Sequence, residues 1–388
     1  MRVGLTLYGS LDEQSGGFRY DRKLVEGLRR AGDTVEVVEL PWRAYPRGLL
    51  DNVTTALGDR LRVDVDVMLQ DELAHPSLLR ANRDLPYPIV SLVHHLRASE
   101  PRRLAPLYRA VERRYLATVD GAVCNSAATR DTVAALGVDR DATVVAPPAG
   151  DRFDPAIDDA DIEARAAVLG GDTGGGGDSA GGEAADGSER GRGPGSEPLR
   201  VAFVGNLAPR KGLDTLVEGV AGADAAVDLT VVGRTVDESH VADVRRLVRE
   251  RGLGDRVRFS GRLSDDELAD ALRASHVLAV PSRYEGFGIV YLEGMSFGLP
   301  AIAARAGGAG ETVADGETGV LVDPEDSVAV ARALDEFAAD PDRLAAMGRA
   351  ARRRYEAHPS WAASTARVRR LLAEVADAPH AVDPEVVS

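Results

Sequence analysis

The run from Val277 to Met295 constrains the fold more than any other part of this 388-residue chain. Val277-Leu278-Ala279-Val280 is apolar at every position and too short for a helix, the pattern of a parallel strand covered on both faces. Ile289, Leu292, Met295 and Phe297 then recur at helical spacing. The intervening Pro281-Ser282-Arg283-Tyr284-Glu285-Gly286-Phe287-Gly288 is therefore a strand-to-helix turn. Gly286 and Gly288 let backbone come close to a ligand, and the first N–H groups of the following helix point at whatever anion or hydroxyl sits there. Glu285 lies in the turn, where the helix start favours its charge, and Glu293 lies further along the helix. Acceptor-only side chains at both ends suit a ligand rich in hydroxyls, such as a ribose and a sugar ring. The plainer reading makes Glu285 a capping carboxylate and Glu293 a solvated helix residue. The preceding Pro-Ser, the Gly-x-Gly and the Gly307-Gly308 loop weaken it.

Length allows two domains of ordinary size, each with its own core. The net charge is −15, and Lys23 and Lys211 are the only lysines among 47 basic residues. Such an acidic surface repels nucleic acid, so no nucleic-acid partner is expected. The composition resembles that of proteins from salt-accumulating halophiles, although high-GC codon usage exchanges Lys for Arg in the same way. Met1 to Tyr8 reads as a first strand rather than a secretory signal, and no apolar run approaches the roughly 18 residues of a membrane span. A cytoplasmic protein is expected, with Cys124 as a core thiol rather than a disulfide or metal ligand.

Short apolar runs alternate with amphipathic stretches along the chain, which predicts an α/β architecture of parallel sheets. The first strand leads into a loop ending in Gly16-Gly17 and then a helix through Tyr20, Leu24, Val25 and Leu28, closed by Ala31-Gly32-Asp33. The dinucleotide fingerprint Gly-x-Gly-x-x-Gly is missing there, which argues against a nicotinamide or flavin enzyme. A strand over 63–69 ends at Gln70, Asp71 and His75, and one over 88–93 ends at His94 and His95. Ligands bind beyond the carboxyl ends of parallel strands, so these residues fall on the ligand side, though a lone His is more often structural. Asp64-Val65-Asp66 has the form of a metal-binding Asp-x-Asp, but it opens its strand and so lies at the opposite rim; no metal is expected. Residues 97–116 form a basic segment with an apolar stripe, read either as an amphipathic surface helix or as a peripheral contact with an anionic membrane or lipid-linked acceptor.

From Gly170 to Gly195, 12 of 26 residues are glycine and most others are Asp, Glu, Ser or Ala, so no core forms there and an acidic disordered insertion is expected. A second domain follows. Val201 to Val204 is a strand, and Gly205-Asn206-Leu207-Ala208-Pro209-Arg210-Lys211-Gly212 turns into a helix at Leu213. Two adjacent cations at a helix start suit a diphosphate. Gly261-Arg262-Leu263 follows another strand on the same side.

The Pro-Ser-x-x-Glu-Gly-Phe-Gly run with its Glu285-x7-Glu293 pair, followed by Gly298-Leu299-Pro300-Ala301-Ile302-Ala303 and Gly316-Glu317-Thr318-Gly319-Val320-Leu321-Val322, resembles the donor-binding half of family 4 retaining glycosyltransferases. The resemblance implies a GT-B fold, two Rossmann-like domains facing each other across a cleft. It implies boundaries of 1–155 for an acceptor-side domain, 156–198 for the insertion, 199–360 for the nucleotide-sugar domain, and 361–388 for a last helix returning to the first domain, with its tail. It also implies transfer from a nucleoside diphosphate sugar to an acceptor hydroxyl with retention, without a cofactor, the acceptor being a sugar, a lipid-linked group or a small molecule. In this frame Arg210 and Lys211 meet the diphosphate, Glu285 orients the sugar, and His94 reaches it near the reacting carbon. Gly205, Asn206, Gly261, Leu263, Gly286, Phe287, Gly288 and Glu293 bind the donor, Glu293 holding the ribose and Gly261 to Leu263 the base. Gly16, Gly17, Gln70, Asp71 and His95 face the acceptor. The sequence departs from the family at Asn206, where the family often has an arginine. Two other readings stay open: a silent nucleotide-sugar-binding subunit and another sugar-phosphate enzyme of the same fold.

Overall fold

The computed structural model describes residues 1–13, 15–99, 104–170 and 197–378. The glycine-rich insertion after Gly170, part of the basic segment (100–103) and the tail after Ala378 lie outside the described residues. The chain divides into two compact units, residues 1–149 with 359–388, and residues 150–358.

The first unit holds a parallel sheet of β1 (Arg2–Tyr8), β2 (Thr34–Leu40), β3 (Val67–Asp71), β4 (Ile89–Val93), β5 (Gly121–Cys124) and β6 (Thr143–Val145), in the order β2-β1-β3-β4-β5-β6. The order reverses between β1 and β3, which places a ligand crevice beyond their carboxyl ends. Strands β3, β4 and β5 are buried at every residue, as expected for strands covered on both faces. The helix Gly16–Arg30 covers one face through Phe18, Leu24, Val25 and Leu28. The last helix, Trp361–Asp377, joins the same core through Val368, Leu371, Leu372 and Val375. Cys124 is a core residue with its thiol pushed up to about 12 by burial.

The second unit holds β7 (Leu199–Val204), β8 (Val227–Val232), β9 (Val257–Gly261), β10 (Val277–Val280), β11 (Ala301–Ala304) and β12 (Gly319–Val322), all parallel, in the order β12-β11-β10-β7-β8-β9. This is the doubly wound order with its switch between β7 and β10. Val277 pairs with Val201 and Leu278 with Ala202, so the turns that follow these two strands are neighbours.

Three expectations change. The strand read over 63–69 begins at Val67 and runs to Asp71, because Asp64 and Asp66 are taken by ion pairs to Arg2 before the strand starts. That pairing also gives the Asp-x-Asp carboxylates a structural partner. The unit boundary falls at 149/150 rather than 155, and residues 156–170 are not a spacer. Asp158 and Asp161 form a capping box that starts a helix over Asp159–Ala167, and Ile162, Ala166 and Leu169 are buried in the second unit. Finally, the apolar stripe of the basic segment is divided: Val111, Tyr115 and Leu116 are buried, whereas Leu104 is 55% and Leu107 52% exposed. Glu112 is buried among them, accepts the Ala98 N–H, and is raised to about 7 by that burial.

Candidate functional site

The turn after β7 carries Gly205, Asn206, Arg210 and Lys211, and the turn after β10 carries Ser282 through Gly288. Gly212 lets them meet, and Gly307 brings the loop after β11 against the same β10 turn. Gly212 has φ +68°, and a Cβ there would stand 2.1 Å from the Pro281 carbonyl oxygen. Gly307, also at +68°, would meet the Glu285 carbonyl oxygen at 2.0 Å; the Gly308 N–H donates to that same oxygen at 2.8 Å. No other residue type fits such close backbone contacts in the left-handed region. Arg283 ties the turns together. Its N–H donates to the Arg210 carbonyl at 2.7 Å and its guanidinium reaches Pro209, Asp214 and Glu325.

At the meeting point Lys211 Nζ donates to Glu285 Oε2 at 2.6 Å, and Ser282 Oγ donates to the same oxygen at 3.0 Å. Arg210 stands 3.9 Å from Glu285 Oε1, beyond hydrogen-bond distance, so this oxygen has no hydrogen-bond donor among the described residues. Burial alone would raise Glu285, but the charges of Lys211 and Arg210 and the two hydrogen bonds outweigh it and hold the carboxyl at about 2. Burial lowers the Lys211 ammonium, against the attraction of Glu285. A depressed carboxyl contributes stability above its unfolded value near 4.5, and that contribution is lost as pH falls from there toward 2. The melting-temperature difference between wild type and Glu285→Gln is therefore expected to be constant from pH 5 to 8 and to shrink below about pH 4.5. A difference that persists unchanged at pH 3 would contradict this ionisation.

Gly288, at φ +87°, caps the helix Ile289–Ser296, whose first turn offers N–H groups toward the same corner. Phe287 is buried, its ring 5.7 Å from His358. Glu293 lies in the second turn of this helix and is 5% exposed, so it is not a solvated helix residue. Arg152 Nη1 stands 3.5 Å from Glu293 Oε2, while Arg152 Nη2 donates to Asp265 at 2.6 Å. Burial opposes the Arg152 charge, but the two carboxylates raise its pKa. The Gly261 carbonyl accepts the Gly233 N–H at 2.8 Å, and Leu263 is half-buried before the Ser264 cap of the next helix. Ser282, Arg152 and Asp265 are additions that sequence reasoning missed.

In the first unit, Gly17 and His94 come together: a Cβ on Gly17 would lie 3.4 Å from His94 Cδ2, while Gly16 faces open space. His95 is half-buried and borders a small cavity with Tyr8, Trp42, Tyr45, His75 and Arg97. Gln70 and Asp71 are not surface groups. Both belong to β3 and are fully buried. The Gln70 amide is exchanged with Asn82 at 2.8 and 3.0 Å and accepts Tyr115 Oη at 3.3 Å. Asp71 lies against Asp21 and His94 in the interior. His75 is buried too, bonded to the Glu72 carbonyl and to Tyr45, and burial lowers it to about 4.

Comparisons with known proteins agree with this two-unit arrangement. Residues 19–151 match the model for Glycosyltransferase Family 4, and residues 189–354 match that for Glycosyl transferases group 1. A GDP-mannose-dependent alpha-(1-6)-phosphatidylinositol monomannoside mannosyltransferase of Mycolicibacterium smegmatis is 35% identical over 187 residues, 46% of this chain and 49% of that protein. A D-inositol 3-phosphate glycosyltransferase of Nocardia farcinica is 32% identical over 278 residues, 67% of this chain and 56% of that protein. The chain thus spans about half the length of the curated relatives it matches. Among solved structures, sucrose-phosphate synthase from Thermosynechococcus elongatus aligns with a TM-score of 0.75 at 24% identity, covering 96% of this chain and 98% of that one. The likeness in architecture and the two family matches, in chain order and one to each unit, make this chain a member of the family 4 glycosyltransferases with the GT-B fold.

Proposed function

We propose that the protein transfers a sugar from a nucleoside diphosphate sugar to an acceptor hydroxyl with retention of anomeric configuration. The observation that carries this reading is the Lys211–Glu285 pair at the switch point of the second sheet, with Glu293 in the helix that follows the Glu285 turn. The leaving diphosphate gains negative charge as the glycosidic bond breaks. Lys211 and Arg210 stand where that charge develops, and such groups lower the barrier because they are already oriented. Glu285 Oε2 is occupied by Lys211 and Ser282, which leaves Oε1 to accept a sugar hydroxyl. This fits a front-face departure and attack on one side of the sugar. Glu293 accepts from the ribose hydroxyls, and Arg152 fixes its orientation.

The names of the mycolicibacterial and nocardial relatives favour a GDP-linked donor and an anionic, inositol-containing acceptor. Exposed Leu104 and Leu107 beside Arg109 and Arg113 support a peripheral contact of the basic segment with an anionic membrane. No described helix is long and apolar enough to cross a membrane. A donor panel assayed against inositol phosphate and phosphatidylinositol acceptors tests the reading, with the product anomer assigned by NMR. An inverted product would overturn the retaining mechanism.

Transfer is expected to need no divalent metal, because cations and a helix start already address the phosphates. Single-turnover transfer should survive EDTA; abolition by EDTA with rescue by manganese would refute this.

A further inference from the structure

His94 follows β4, and its main chain is held on both sides. Its N–H donates to Glu72 Oε2 at 2.8 Å, and its carbonyl accepts from Asn125 Nδ2 at 2.9 Å. The ring is held as well. Tyr20 meets it edge-on at 5.1 Å between centroids, and Tyr20 is itself anchored by a 2.7 Å bond to the Ala146 carbonyl. His94 Nε2 lies 2.9 Å from Asp21 Oδ1. Asp21 is fully buried on the apolar face of the helix Gly16–Arg30. His94 Nδ1 has no hydrogen-bond partner among the described residues, and the side chain is 12% exposed.

Asp21 is not a simple ion. Its carboxylate lies beside that of Asp71, which is also fully buried, with an oxygen of each within 4.8 Å of the other and of a His94 ring nitrogen. Oδ2 of each is buried with no hydrogen-bond partner among the described residues. Two buried carboxylates side by side cannot both carry a charge at tolerable cost, so one proton between them satisfies both Oδ2 atoms. Burial accordingly raises Asp21 to about 7 and, with the charge of Asp21, Asp71 to about 8. The dyad keeps an acceptor oxygen turned to His94.

We propose that Asp21, sharing a proton with Asp71, is a positioning residue that holds His94 as its Nε2–H tautomer, leaving Nδ1 as the ring atom that accepts a hydrogen bond from a substrate hydroxyl. An imidazole whose inner nitrogen is fixed as donor presents the other as acceptor only. The effect on turnover rests on the glycosyl-transfer reading above; the tautomer does not.

Protein labelled with ¹⁵N at its seven histidines tests the assignment by two-bond ¹⁵N–¹H correlation, with the His94 signals identified by their loss in His94→Gln. Wild type is expected to show a protonated Nε2 and an unprotonated Nδ1 at His94. Protonation at Nδ1 alone would overturn the proposal, whatever the activity. In Asp21→Leu the two tautomers should mix, and transfer should fall roughly tenfold or more while nucleoside diphosphate affinity stays unchanged. Asp71→Asn, which supplies an amide donor in place of the shared proton, should retain the wild-type tautomer. An Asp21→Leu protein that keeps the wild-type tautomer would also refute it. If that variant does not fold, the wild-type spectrum and Asp71→Asn still decide.

Discussion

Lys211→Ala is expected to lower turnover at saturating donor by roughly 10²-fold or more, as for other groups that meet charge developing in the transition state. Lys211 is 8% exposed and its ammonium is bonded to Glu285, so the variant also strands a buried carboxylate beside Arg210. Breaking a buried pair from one side costs about 3–5 kcal/mol of stability, so rates should be compared well below the melting transition. Glu285→Ala should impair transfer too, but by a different route. In the proposed function its Oε1 addresses the sugar rather than the phosphates, so affinity for the free nucleoside diphosphate should hold. A Lys211→Ala protein that turns over like wild type while binding donor more weakly would assign Lys211 to ground-state binding instead.

Glu293→Ala is expected to weaken donor and free nucleoside diphosphate alike, by about 1.5–3 kcal/mol, the range for a hydrogen bond to a charged group. A ribose contact is the same in ground and transition states, so turnover at saturation should change little. Arg152 loses a partner at 3.5 Å but keeps Asp265 at 2.6 Å, so no cation is left buried and alone.

Much of this arrangement was legible in the sequence because parallel strands buried on both faces are apolar at nearly every residue. Val277–Val280 and Ile89–Val93 therefore announce themselves, and the glycine-rich turns after β7 and β10 mark where the chain changes direction. The pairing of Lys211 with Glu285 was not legible. The two residues are 74 positions apart, and only the strand order, which sets β7 beside β10, brings their turns into contact. Sequence reasoning gave them separate partners, phosphate and sugar, where the structure joins them. Arg152 escaped for the same reason: nothing local in Gly150-Asp151-Arg152 points at Glu293. Asp21 was visible in principle. It shares a helical face with Phe18, Leu24, Val25 and Leu28, and an aspartate among such neighbours needs a partner. Acidic composition hid the helix Asp159–Ala167 by making it look like the insertion that follows, although Ile162, Ala166 and Leu169 carry a helical spacing. Gln70 and Asp71 were placed outside the sheet because the strand was started four residues early.

The central claim is that the second unit holds the nucleotide sugar with Glu293 at the ribose end and Glu285 at the sugar end. Calorimetric titration of GDP, UDP and ADP into wild type, Glu285→Ala and Glu293→Ala tests it most directly. One nucleotide should bind wild type with one-to-one stoichiometry, bind Glu285→Ala within about twofold, and bind Glu293→Ala roughly 10- to 100-fold more weakly. Loss of affinity in Glu285→Ala with none in Glu293→Ala would show the two carboxylates assigned the wrong way round. Binding of none of the three to wild type would contradict the donor site itself.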